Sequence, residues 1–81
     1  MTAVILNVRP AGSGWLLDLP LSDGPLMFAS GGRAEAKAHD LARRLARLGH
    51  ETCVLVQDRT EEVVGRTLYP AGLDTPATGR G

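Results

Sequence analysis

Only one stretch of this chain repeats with a helical period. At 100° per residue, Ala34, Ala38, Leu41, Ala42, Leu45 and Leu48 fall within a stripe about 120° wide. Ser30 or Gly32 is placed to cap the start, Glu35 is expected in the first turn, and Gly49 is a left-handed stop. A lone helix in 81 residues has no second helix to pack on. Its apolar stripe must therefore lie on a sheet, and the small alanines in it allow a close approach.

The rest of the sequence supplies that sheet. "AVILNVR" from Ala3 to Arg9 is β-branched and apolar, "PAGSG" is a turn, and "WLLDL" from Trp15 to Leu19 returns as a hairpin. Asp23-Gly24 turns the chain into "LMFA", Leu26 to Ala29. After the helix, Glu51 to Gln57 and Glu62 to Tyr69 form a second hairpin around "DRTE". The expected fold is α+β, an antiparallel sheet with one packed helix in the order β-β-β-α-β-β. Residues 1–70 read as a single domain. Residues 71–81, rich in Gly, Pro and Thr without periodicity, read as a disordered C-terminal tail.

Period-2 alternation divides the strand residues between two faces. Val4, Leu6, Val8, Trp15, Leu17, Phe28, Val54 and Val56 form one set, suited to the helix side. Ile5, Leu16, Met27 and Leu55 form the other. One helix cannot cover both faces, so the second set is a candidate interface.

Charge and chemistry narrow the function classes. Lys plus Arg equals Asp plus Glu, nine each, so no global field attracts nucleic acid or anionic membrane. The single cysteine, Cys53, excludes an intramolecular disulfide and fits a reducing, cytoplasmic setting. No signal peptide is expected at the N-terminus, and no apolar run is long enough to span a membrane. His39, His50 and Cys53 lack metal-ligand spacing, so neither metal nor cofactor is expected. Cys53 lies mid-strand among apolar neighbours and reads as a packing residue. Ser13 joins strand to strand, which is not a nucleophile elbow. The best local charge signal is the helix face bearing Arg33, Lys37, Arg43, Arg44 and Arg47, interrupted by Asp40. It could track phosphates, but no aromatic interleaves with it, and the solvent side of any helix is polar.

Trp15, Phe28, Glu35-Ala36, Ala42-Arg43, Leu45-Ala46, Gly49, the Val-rich strand and Tyr69 follow a recurrent pattern. It resembles the small bacterial domains grouped as domain of unknown function 2188, over about Val4 to Gly72. The last turn, "QDRTEE", departs from that pattern in lacking its glycine. The resemblance implies the same β-β-β-α-β-β order and carries no activity. The functional expectation is a non-enzymatic interaction module, a homodimer or a binder of another protein through its sheet face. A nucleic-acid-binding accessory protein using the helix arginines is the alternative.

Overall fold

The computed structural model describes residues 3–20, 23–72 and, for the backbone, 77–78. Among these the element order is β1 (Val4–Ala11), β2 (Gly14–Asp18), β3 (Leu26–Phe28), α1 (Gly31–Arg47), β4 (Thr52–Gln57), β5 (Val63–Tyr69) and β6 (Ala77–Thr78). They build one six-stranded sheet in the order β3-β2-β1-β4-β5-β6, with α1 on one side. The α+β class and the single helix are as expected.

One expectation needs correction. The sheet is mixed and not purely antiparallel, because its central pair, β1 and β4, runs parallel. Direction parity explains this. β1, β2 and β3 alternate in direction, α1 carries the chain back, and β4 then runs the same way as β1. α1 is therefore the crossover that a parallel pair needs. All other neighbouring strands are antiparallel.

The tail also differs where it is described. Ala77–Thr78 form β6 beside Thr67 and Leu68, where a structureless tail was expected. The rest of that tail beyond Gly72 lies outside the described residues.

The helix is held at both ends by local chemistry. Ser30 is its N-cap, with Oγ accepting from the Arg33 amide at 3.2 Å. The helix begins at Gly31, so Glu35 falls past the first turn, which holds no acid. At the other end the His50 amide donates to the Leu45 carbonyl at 2.9 Å and the Gly49 amide to the Ala46 carbonyl at 3.0 Å. That pair of bonds closes a Schellman motif, which needs the left-handed backbone of Gly49, φ 97°.

The core lies between α1 and the sheet. Ala34, Ala38, Ala42 and Ala46 are fully buried against Leu6, Val8, Leu17, Val54 and Tyr69. Val4, Trp15, Leu19, Phe28, Leu41 and Val56 pack around this cluster. All eight residues assigned to the helix side by alternation are found there. Leu48 leaves the helical stripe and is 74% exposed, because the chain turns away at the C-cap; Ala46 is buried in its stead.

The β4–β5 turn carries strain. Glu61 has φ 67°, a left-handed backbone that costs a side-chain-bearing residue roughly 1–2 kcal/mol. This is the turn in which the resembled pattern has glycine. Glu61→Gly should raise stability by about 0.5–1 kcal/mol, the relief less the added freedom of the unfolded glycine. Urea denaturation of the two proteins checks this, and a loss of stability would mean that the Glu61 side chain holds the turn.

Candidate functional site

The face of the sheet opposite α1 has no covering element among the described residues. Alternation brings Ile5, Asn7 and Arg9 of β1 to it, together with Leu16 and Asp18 of β2, Met27 of β3, Cys53, Leu55 and Gln57 of β4, and Arg66 and Leu68 of β5. The four residues expected there are all present. Ile5 and Met27 are 44% and 77% exposed, while Leu16 and Leu55 are half-buried.

The face is not continuously apolar, however. A polar network crosses its middle. Arg9 grips Asp18 with two bonds, Nε to Oδ2 at 2.6 Å and Nη2 to Oδ1 at 3.2 Å. Asn7 Nδ2 donates to Gln57 Oε1 at 2.6 Å and lies 3.5 Å from Asp18 Oδ2. The Arg9 hydrogen bond, then its charge, holds the Asp18 carboxyl below the usual carboxylate value against an opposing cost of burial. The pair is well exposed, so its main consequence is order: it fixes side chains across β2, β1 and β4. Apolar groups flank the network, Ile5, Cys53 and Leu68 toward one end of the strands and Leu16 and Met27 toward the other.

Asn7, Arg9, Asp18 and Gln57 were not singled out from the sequence. The signal was present, since Ile5, Asn7 and Arg9 alternate with Leu6 and Val8 and must share a face. Counting only apolar residues hid it.

Cys53 is buried on this side of the sheet, and burial pushes its thiol pKa up, away from the thiolate that nucleophilic chemistry requires. Two of the clefts that border the sheet bear on a site. One of about 400 Å³ lies at the C-terminal ends of β1 and β4, between Arg9, Gln57, Arg59 and Glu61. Its polar groups are largely engaged with one another: Gln57 Nε2 donates to the Glu61 carbonyl at 2.9 Å, and Arg59 reaches the Gly12 carbonyl at 3.3 Å. The other, about 390 Å³ and apolar, lies beside α1 between Val4, Leu6, Leu19, Leu41 and Leu45. Among the described residues no group of three or more potential metal ligands comes together, and no helix is long and apolar enough to cross a membrane.

The five basic helix residues lie on the solvent side of α1. Arg33, Arg43, Arg44 and Arg47 are exposed and Lys37 is half-buried. Arg44 is paired with Asp40 at 3.2 Å, which divides the stripe and neutralises part of it.

His39, half-buried on α1, places Nδ1 2.6 Å from the hydroxyl of Tyr69, with the two rings tilted at 56°. Burial lowers the His39 pKa below its ordinary value; Glu35 acts against that shift and Arg43 with it. The folded chain thus binds fewer protons than the unfolded chain between the lowered value and about 6.5. The contribution is complete above that window and is lost as pH falls through it. Stability should therefore drop on acidification below pH ~6.5, and His39→Gln should flatten that part of the profile. A profile unchanged by the substitution would remove His39 as its cause.

No family model matches the chain, and comparison with curated proteins and with solved structures finds no match.

Proposed function

We propose that this domain is a non-enzymatic interaction module that self-associates through the open face of its sheet. One observation carries the proposal: a single helix covers one face, and the other leaves Ile5 and Met27 exposed beside Leu16 and Leu55. Uncovered apolar groups of this kind on an ordered sheet mark interaction surfaces. The domain measures 36 × 31 × 20 Å. Its broad side thus exceeds the ~800 Å² per partner of a standard interface. Two-fold pairing of identical faces is the commonest route to a soluble oligomer. The polar network suits such a face, since its groups satisfy one another and need not be abandoned on docking.

Sedimentation tests the proposal. The wild type should show a concentration-dependent dimer. Ile5→Asp should weaken it by about tenfold or more, because it places an unpaired carboxylate in the contact. Leu48→Asp, a still more exposed site at the helix end, should leave it unchanged. A strictly monomeric wild type at high concentration would overturn self-association.

A further inference from the structure

We propose that the two copies meet about a two-fold axis that runs along the strands, between β1 and β4. This rests on the self-association reading above and adds to it the register of the pair. The argument comes from one row of the open face. Asp18, Asn7, Leu55 and Arg66 lie side by side across β2, β1, β4 and β5. Asp18 and Arg66 stand at the two ends, three strand spacings or about 14 Å apart. That is too far for an ion pair within one chain. Arg66 is exposed and makes no ion pair among the described residues. Asp18 is partly open, with Arg9 on one side of its carboxylate.

Two sheets packed face to face lie about 10 Å apart, a gap that an arginine and an aspartate span together. Only two orientations of an in-plane two-fold axis keep the strands aligned with those of the second copy. An axis along the row puts Asp18 over Asp18 and Arg66 over Arg66, like charge against like charge. An axis along the strands exchanges the outer strands, so Arg66 lies over Asp18 of the second copy, twice over. Electrostatic complementarity selects the second orientation.

The same operation brings other groups together. Past a bulge in β5, Val63 pairs with Gln57 and so shares the row of Arg9 and Leu16; Leu16 then faces Val63 of the second copy, and Ile5 faces Cys53. Asn7 and Leu55 exchange places, so each leucine lies over an amide already held by Gln57.

Charge reversal tests the register. Arg66→Asp alone and Asp18→Arg alone should each weaken the dimer about tenfold or more, by setting like charges opposite one another. An equimolar mixture of the two variants should associate again, because both contacts then pair opposite charges. Asp18→Arg stands beside Arg9 and risks the fold, so a second measurement is independent of it. A nitroxide on Val64→Cys in an unlabelled Cys53→Ala chain, mixed with ¹⁵N-labelled Cys53→Ala, reports only contacts between copies. Val64 is exposed and Arg66 is kept. Broadening should be strongest along β2 of the labelled copy. A dimer with broadening centred on β5 or α1 would overturn the axis and leave self-association standing. A monomer under the same conditions would overturn both.

Discussion

Ala42→Leu should destabilise the domain by about 1–3 kcal/mol. Ala34, Ala38, Ala42 and Ala46 have no exposed surface at all. Each is one near-turn from the next, so together they form the strip on which α1 rests against β1, β2 and β4. A helix separated from a sheet only by methyl groups has no room for three more carbons. It must lift, and lifting it opens contacts along its whole length. A domain of this size has only roughly 3–5 kcal/mol to lose, so the substitution should leave a substantial unfolded fraction at modest denaturant. Ala36→Leu is the control. Ala36 is exposed on the same helix, and alanine and leucine differ little in helix propensity, so the change should stay within about ±0.5 kcal/mol. Urea titration followed by circular dichroism separates the two. Equal stability of Ala42→Leu and the wild type would show that α1 sits farther from the sheet than its buried alanines imply.

The same strip shows how much of the fold can be read in advance. Ala34, Ala38 and Ala42 are legible from their period alone, and so is the division of Leu6, Val8, Leu17 and Val54 from Ile5, Leu16, Met27 and Leu55. Both follow from local geometry, in which each side chain's direction is set by its neighbours. Ala46 against Leu48 is not legible that way. Residues four apart advance 400°, so an alanine strip drifts around the helix, and where the chain leaves the sheet decides which residue is last covered. The parallel β1–β4 pair is a second case. Parity fixes the direction of β4, but not which strand it lies beside. That choice depends on the apolar length of β1, which carries Val4, Leu6 and Val8 through the core and so competes best for the centre of the sheet. The contact between His39 and Tyr69 is a third. It joins positions 30 residues apart, and no period within α1 points to it.

The open face shows the same limit from the functional side. Its apolar members were readable one by one, as was the polar alternation of Asn7 and Arg9. What was not readable is that Asp18 of β2 and Gln57 of β4 close a network with them, because this requires the order β2-β1-β4. That network changes the character of the face. A wholly apolar sheet side would associate with little regard to register, whereas fixed charges at set positions admit some alignments and penalise others.

The largest single loss should come at Tyr69. Its side chain is 2% exposed and belongs to the central cluster. Two further contacts meet around it. Its hydroxyl is bonded to His39 on α1, and three residues on, the Gly72 amide donates to the Ala46 carbonyl at 2.6 Å. Tyr69 therefore ties the end of β5 to the helix at the point where the chain leaves the sheet. Tyr69→Ala removes a large aromatic body from a packed site, at a cost of about 3–5 kcal/mol. That is comparable to the whole stability expected of so small a domain, and the variant should be largely unfolded at neutral pH. Tyr69→Phe separates packing from polarity. It keeps the ring and deletes the hydroxyl, and should cost about 1 kcal/mol. With the ring neutral and its proton on Nε2, the tyrosine hydroxyl donates to Nδ1 of His39. That bond favours the uncharged imidazole, so its loss should raise the His39 pKa toward the ordinary value. Proton NMR titration of the His39 ring reads the shift, and a double-mutant cycle of Tyr69→Phe with His39→Gln measures the coupling. A His39 titration identical in wild type and Tyr69→Phe, with no coupling in the cycle, would show that the two rings touch without sharing a hydrogen bond.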